Sequence, residues 1–214
     1  MSRVLPILFD TEMVRAILDG RKTCTRRVIK LPENMDGVPV GKNGDSSNPP
    51  GFMYPGGIKR PPYQPGDILY VRETWCALPV NEAGHMRGHS IYYYRADGDL
   101  RLEGWRGKWR QSIHMPKEAA RIWLKVTDVR VERLQDITPK GAESEGVGNL
   151  FYDDIGYGEK NYGTEVDTEY GIAKEQFAWL WESTIKKSDL DRYGWDANPW
   201  VWVIEFERCE KPEA

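Results

Sequence analysis

Alternation of apolar and polar residues in separated segments is the feature that most constrains the fold of this chain. It is clearest in GDILYVRETW (66–75), SIYYYRA (90–96), RIWLKVTDVRVERL (121–134) and NPWVWVIEFE (198–207). Successive side chains of a strand point to opposite faces, so this alternation predicts strands. In the first segment Leu69, Val71, Glu73 and Trp75 share one face. We expect a strand in each segment, the third either continuous or bent near Asp128.

Other segments have the apolar stripe or the capping residues of helices. They are DTEMVRAILDG (10–20), ITPKGAESEG (137–146) and AKEQFAWLWESTIKK (173–187). In the first, Asp10 or Thr11 can cap the N-terminus, and Gly20 suits the left-handed position after the last turn. In the second, Thr138 is the expected N-cap. The sequence therefore predicts helices over 11–19 and 173–187 and a short helix after Thr138.

Strands separated by a few short helices predict an α+β domain built around a small, closed sheet. A length of 214 residues suffices for one sizeable domain, so we expect a single domain over 1–214. Residues 31–66 hold eight of the fourteen prolines and predict a long Pro/Gly-rich loop insertion rather than a second domain. Residues 148–172, rich in Gly, Asp and Tyr, predict another loop.

Composition narrows the cellular setting and the cofactors. The three cysteines are far apart and form no CxxC pair, which indicates a reducing compartment, and we expect the cytoplasm. No segment is long and apolar enough for a signal peptide or a membrane span. His85 and His89 lie four apart, but in a glycine-flanked loop without a third ligand nearby, so we expect no metal. Phosphate-binding and dinucleotide-binding motifs are missing, and we expect no cofactor.

The segment GRKTCTRR (20–27) concentrates basic side chains at the end of the first predicted helix. Four of its eight residues are cations, although the net charge of the chain is −3: Arg21, Lys22, Arg26 and Arg27. One interpretation is a solvated basic turn, favoured there by the negative end of the helix dipole. The other is a pocket that Lys22 and Thr25 both face. Residues three apart in a strand point to opposite faces, so this second interpretation requires Lys22 to precede the strand.

At these residues the chain resembles a known family. GRKTCTRR after a short helix is similar to the GxKxxTxR signature of ASCH domains, which are small β-barrels related in fold to PUA domains. GDILYVRE, LQDITPKGAESEG and WVIEFE resemble later elements of that family in the same order. RETW, SIHMP and NPWVWVIEFE are similar to its phage and prophage branch. The resemblance implies a single PUA-like mixed β-barrel with flanking short helices and long loop insertions.

The resemblance also implies an activity. One enzyme of the family is an amidohydrolase that removes the acetyl group from N4-acetylcytidine. The matching residues imply Lys22 as base, Thr25 as nucleophile and Glu145 as proton donor, with Glu143 as the alternative donor. A threonine hydroxyl becomes a good nucleophile when a neighbouring base takes its proton. A lysine can be that base when burial and the cations Arg21, Arg26 and Arg27 favour its neutral form.

Further residues are candidates for binding a nucleoside or a single-stranded RNA or DNA segment. We expect Arg21, Arg26 and Arg27 to form the basic wall of a pocket, with Arg27 itself buried against a carboxylate such as Glu73. Glu73 and Trp75 share a strand face and can accept from an exocyclic amine and stack on a base. They can equally be an arginine's partner and a core tryptophan. His114 either lines the pocket or is structural.

Three other functions fit the same residues. A non-catalytic module that reads RNA or a modified base needs the basic rim but not Lys22, Thr25 and Glu145 together. A ribonuclease can use the same basic pocket, and a phage structural or host-interaction protein needs no working pocket. The net charge of −3 disfavours tight binding to long nucleic acid, because few phosphates can be neutralised. The sequence does not indicate the oligomeric state.

Overall fold

The computed structural model describes residues 2–32, 35–40, 51–79, 90–98, 108–147 and 170–213. Within them the chain is a mixed α+β protein made mostly of strands with a few short helices, which confirms the predicted class. The strands are β1 (Val4–Leu8), β2 (Cys24–Val28), β3 (Val38–Val40), β4 (Gly51–Tyr54), β5 (Gly57–Lys59), β6 (Ile68–Arg72), β7 (Trp75–Pro79), β8 (Ser90–Tyr94), β9 (Trp123–Arg133) and β10 (Trp200–Cys209). The helices are α1 (Thr11–Leu18), α2 (Pro139–Ser144), α3 (Tyr170–Thr184) and α4 (Leu190–Tyr193).

The strands form sheets of five, three and two members. The largest has the order β1-β6-β9-β10-β2, in which β1 pairs parallel with β6 and the pairs β6–β9 and β10–β2 are antiparallel. The smaller sheets are β3-β4-β5 and the hairpin β7-β8, both antiparallel. Among the described strands no sheet closes into a barrel. Closure of a sheet into a PUA-like barrel stays a prediction.

The chain divides into two compact units. The first contains residues 1–19, 66–125 and 207–214. Its core includes Trp75, Met115 and Trp123, all nearly inaccessible to solvent. Trp75 and Tyr92 meet edge to face with ring centroids 5.8 Å apart, a geometry that aromatic quadrupoles favour.

The second unit contains residues 20–65 and 126–206. One face of β10 contributes Val201 and Val203 to a core that also holds Phe177 and Trp181 of α3. The other face of β10 is buried as well, because Trp202 and Ile204 are at most 3% exposed. This unit holds the basic segment at residues 20–27 and helix α2.

The local helix signals are confirmed. The Asp10 side chain accepts a hydrogen bond from the backbone N–H of Met13 and caps α1, and Gly20 has a φ of +76° after its end. Thr138 caps α2 by accepting from the N–H of Gly141. Among the described residues, no helix combines the length and the apolar character needed to cross a membrane.

Three expectations about strands and loops were wrong or incomplete. The segment 66–75 is not one strand: β6 ends at Arg72 and β7 begins at Trp75. The segment 31–66 is not all loop, because β3, β4 and β5 form a sheet there and bury Phe52 against Trp200, with ring centroids 5.6 Å apart. Strand β1 was not predicted. Of the second expected loop, at 148–172, residues 148–169 lie outside the described residues, as do His85 and His89, and residues 170–172 begin α3 instead.

Candidate functional site

Lys22 lies between α1 and β2 and faces the end of α2. It forms an isolated antiparallel bridge with Glu145. The backbone of the next residue, Thr23, is hydrogen-bonded on both sides. Its N–H donates to the carbonyl of Ser144 at 2.9 Å, and the Thr23 carbonyl accepts from the N–H of Phe206 at 2.9 Å. Lys22 thus precedes strand β2, which is the arrangement that the pocket interpretation requires.

Glu145 is fixed by the end of α2. It is the C-cap residue of the helix, and its backbone N–H donates to the carbonyls of Gly141 and Ala142. Gly146 follows with a φ of +91°, a conformation that glycine adopts without steric cost. The chain therefore turns away immediately after Glu145 and leaves its side chain directed at the basic segment.

Lys22 and Glu145 form a buried ion pair between segments 123 residues apart in sequence. The Lys22 ammonium Nζ lies 2.7 Å from Oε2 of Glu145 and donates also to the Glu145 carbonyl at 2.9 Å. The two side chains are 2% and 5% exposed. Burying a charge is costly unless it is paired and hydrogen-bonded, and here both conditions are met.

Arg26 holds the second oxygen of the same carboxylate. Its NH1 lies 3.1 Å from Oε1 of Glu145, and its NH2 lies 3.2 Å from Oε2 of Glu132 in β9. The guanidinium is 2% exposed and lies 5.7 Å from the ring centroid of Phe177. We refer to Lys22, Arg26 and Glu145 as the buried ion cluster.

The buried ion cluster continues towards solvent through charges on β9. Glu132, 25% exposed, pairs with Arg130, which also pairs with Asp128 and with Glu205 of β10. Partial burial acts to lower the pKa of Arg130, but hydrogen bonds to Glu132 and Glu205 raise it above its ordinary value. An alternating row of cations and carboxylates therefore links the cluster to the surface.

Thr25 lies on the other face of β2. It pairs with Ile204 of β10, whereas Arg26 pairs with Val203, and paired residues share a face of the sheet. Thr25 is buried, with 4% of its surface exposed. The structure thus brings together Lys22, Arg26 and Glu145, and strand alternation directs Thr25 away from them. The role of Thr25 as nucleophile stays a prediction.

Cys24 is the other potential nucleophile beside the buried ion cluster. Burial, followed by the charge of Glu145, raises the pKa of its thiol to about 12. A thiol with such a pKa remains protonated at neutral pH, and the thiolate is the reactive form. Cys24 is therefore a packing residue whose Sγ lies 3.8 Å from NH1 of Arg26.

The arginines of the basic segment separate into three environments. Arg26 is buried, Arg21 donates to the carbonyl of Gly146 at 2.9 Å, and Arg27 is exposed. The expectation that Arg27 is buried against Glu73 was wrong. In β2 it is Arg26 that points towards α2 and α3, and alternation turns Arg27 to the opposite face.

Glu73, Trp75 and His114 belong to the first unit. Both carboxylate oxygens of Glu73 accept from Arg121, at 3.0 and 3.1 Å, and burial raises the pKa of this carboxyl although Arg121 partly offsets the effect. Trp75 is 4% exposed and packs in the core. The structure thus favours the interpretation of an arginine partner and a core tryptophan. His114 ends a short 3-10 turn and is exposed.

Sequence reasoning missed Glu132 and Arg130. The signal was present, because Asp128, Arg130 and Glu132 occupy alternate positions of a predicted strand and so place three charges on one face. Within the part of the chain that the structure describes, no group of three or more potential ligands is arranged to hold a metal ion.

Comparison of the chain with models of protein families, with curated proteins and with solved structures finds no significant match. A carboxylate 2.7 Å from an ammonium can exchange a proton with it, and a second cation holds the carboxylate in place. This arrangement suits either acid–base chemistry or a purely structural ion cluster.

Proposed function

We propose that this protein is an ASCH-like protein with a PUA-like barrel that binds a nucleoside or a short single-stranded nucleic-acid segment and hydrolyses N4-acylated cytidines. The observation that supports it is the ion pair of Lys22 and Glu145, which joins the two sequence motifs of the resemblance at 2.7 Å. Two residues that match catalytic positions meet across 123 residues of sequence. A solvated basic turn would leave the Lys22 side chain in water, whereas it is 2% exposed.

The proposed reaction cleaves the amide bond between the acyl carbon and N4 of cytosine. Proton transfer from the Lys22 ammonium to the Glu145 carboxylate, 2.7 Å apart, first gives a neutral amine and a carboxylic acid. The Lys22 amine then takes a proton from the nucleophile as it attacks the acyl carbon, and the Glu145 carboxylic acid gives its proton to N4 as the C–N bond breaks, which restores the ion pair. If Thr25 is the nucleophile, an acyl ester forms and water then releases the carboxylic acid. If water attacks directly, the acid forms in one stage. The position of Thr25 on the opposite face of β2 from Arg26 favours water.

The test is incubation with N4-acetylcytidine followed by chromatography for released cytidine. We expect Lys22→Arg and Glu145→Gln to lower the rate by about 10²- to 10⁴-fold, as loss of a general acid or base does. A guanidinium stays charged and cannot act as a base. The matched control Lys30→Arg changes an exposed lysine and keeps the rate. Glu143→Gln tests the alternative donor, which is exposed, and we expect it to keep the rate because Glu145 is the carboxylate that meets Lys22. A Lys22→Arg protein with the wild-type rate contradicts the proposal.

Comparison of two threonine variants identifies the nucleophile. Thr25 is buried, whereas Thr23 is exposed two positions earlier. Loss of nearly all activity in Thr25→Ala, but not in Thr23→Ala, supports an acyl ester on Thr25. Trapping of that ester by acid quench and mass spectrometry gives the direct demonstration. Retained activity in Thr25→Ala supports attack by water.

The non-catalytic reading module is the second candidate, and the closed state of the buried ion cluster favours it. Both oxygens of Glu145 are occupied by cations, which is also the arrangement expected of a cluster that holds the basic segment in place. In that case a fluorescent oligonucleotide carrying N4-acetylcytidine binds without being hydrolysed. Removal of the exposed cation of Arg27 then weakens binding, and Lys22→Arg largely preserves it.

A further inference from the structure

Arg26 stands apart from the residues that the sequence motif singles out. The signature GxKxxTxR covers Lys22, Thr25 and Arg27, while Arg26 falls at one of its unspecified positions. It is nevertheless Arg26 that is buried and in contact with Glu145. The motif alone therefore gives no role to the arginine that the structure places against the candidate proton donor.

The two oxygens of Glu145 are divided between two cations. Lys22 takes Oε2 at 2.7 Å and Arg26 takes Oε1 at 3.1 Å. A carboxylate held by one cation can rotate about its last side-chain bond, because that torsion is broad. A carboxylate held at both oxygens cannot rotate without breaking a buried charged hydrogen bond.

Arg26 is itself held from three directions. Its NH2 contacts Glu132 at 3.2 Å, and its guanidinium lies 5.7 Å from the ring centroid of Phe177. On the remaining side is Gly141, where an added Cβ would lie 3.3 Å from NH2. The guanidinium Nε is buried and makes no hydrogen bond with the described residues, so the NH1 and NH2 contacts set its orientation.

We propose that Arg26 is the positioning residue of the site: held by Glu132, it fixes Oε1 of Glu145 so that Oε2 faces Lys22. It acts through Glu145 and does not itself exchange a proton, since a guanidinium is not deprotonated in proteins. The catalytic consequence rests on the proposed function. The geometric consequence, an ordered Lys22 ammonium, does not depend on the proposed function.

The geometric arm uses nuclear magnetic resonance of the lysine side-chain ammonium groups in protein labelled with ¹⁵N-lysine. The Lys22 signal is identified by its loss in Lys22→Arg. We expect Arg26→Gln to shift or broaden that signal, because Glu145 is then free to rotate. The control Lys140→Gln removes an exposed cation from α2 and leaves the signal in place. An unchanged Lys22 signal in folded Arg26→Gln overturns the proposal.

The catalytic arm measures kcat and KM for N4-acetylcytidine. We expect Arg26→Gln to lower kcat about 10²-fold, the size of effect that follows from misplacing a reacting group by an ångström. KM changes by less than about 3-fold, because the lost interaction is not with substrate. Lys140→Gln keeps both constants. A larger change in KM than in kcat shows direct substrate contact and overturns the positioning role.

Two variants keep the test usable where Arg26→Gln does not fold. Glu132→Gln retains the arginine and weakens its support. Gly141→Ala brings a Cβ to 3.3 Å from NH2 of Arg26 and to 3.2 Å from the Thr138 hydroxyl, without changing any charge. Each should shift the Lys22 signal and lower kcat roughly 10-fold, as loss of a supporting contact does. If both leave the signal unchanged, the proposal is overturned. If wild-type protein shows no hydrolysis and the signal shifts as expected, the proposed function fails while the positioning stands.

Discussion

Replacement of Glu145 by glutamine should be the most damaging single change in the buried ion cluster. At an effective dielectric constant of 20, the attraction across 2.7 Å to Lys22 is about 6 kcal/mol, and across 3.1 Å to Arg26 about 5 kcal/mol. Desolvation of the charges opposes most of this in the folded protein. Removing the carboxylate, however, leaves two buried cations facing one neutral amide. We expect a loss of about 3 to 5 kcal/mol in the free energy of unfolding.

Replacement of Lys22 by methionine should cost less. It removes the larger of the two attractions but leaves Glu145 paired with Arg26, so no uncompensated charge remains. We expect about 1 to 3 kcal/mol, because the buried hydrogen bonds of the ammonium to Oε2 and to the carbonyl of Glu145 are lost. The combined Lys22→Met and Glu145→Gln protein should lose less than the sum, with a coupling of about 0.5 to 3 kcal/mol.

The assay is thermal and urea unfolding at neutral pH, followed by circular dichroism and by tryptophan fluorescence. For a chain of this length each kcal/mol lowers Tm by about 2 to 4 °C, so Glu145→Gln should lower it by about 6 to 20 °C. The control is Glu143→Gln, an exposed residue of the same helix, which should change stability by less than about 0.5 kcal/mol. The reasoning is refuted if Lys22→Met costs more than Glu145→Gln, or if Glu145→Gln matches the control.

Three further predictions test other parts of the structure. The fold raises the pKa of the Cys24 thiol from 9.0 to about 12, so the contribution of the protonated thiol to stability is complete below pH 9 and is lost as the pH rises towards 12. Native protein treated with iodoacetamide at pH 8 should be labelled at the more exposed Cys209 and not at Cys24, as measured by peptide mass spectrometry. Asp10→Ala removes the cap of α1 and should cost about 1 kcal/mol in urea unfolding, and a change near zero would contradict the capping role. Phe52→Ala should lower the free energy of unfolding by about 3 to 5 kcal/mol because the ring is fully buried, whereas Met53→Ala on the exposed side of the same strand should lower it little. Equal losses in the two variants would show that β4 does not pack as described.

Local signals account for what the sequence predicted well. A cap such as Asp10 or Thr138 acts within four residues of itself, so its effect is visible in a single segment of sequence. The break between β6 and β7 could not be found in this way, because alternation continues through it. The residue at the break makes a long-range contact that local sequence does not reveal, because Glu73 pairs with Arg121, 48 residues away.

In the candidate site, too, local sequence signals were predictive and long-range pairing was not visible. The motif placed Lys22 and Glu145 at matching positions, and they are in contact. The choice between Arg26 and Arg27 depended on which face of β2 meets α2, and that is set by its register with β10. Strands β3 to β5 were hidden by prolines, although the sequence YPGG at 54–57 is the turn of the β4–β5 hairpin.

The pairing of β2 with β10 has a consequence for synthesis of the chain. Val28 pairs with Val201, which is translated 173 residues later. At typical elongation rates of 5 to 20 residues per second this delay is roughly 10 to 35 s. Throughout it the nascent chain carries four cations between residues 20 and 27 without Val201 or its neighbours to cover the strand. A basic, unpaired strand is drawn to polyanionic surfaces. Lys22 and Arg26, which end in the buried ion cluster, therefore begin as exposed cations.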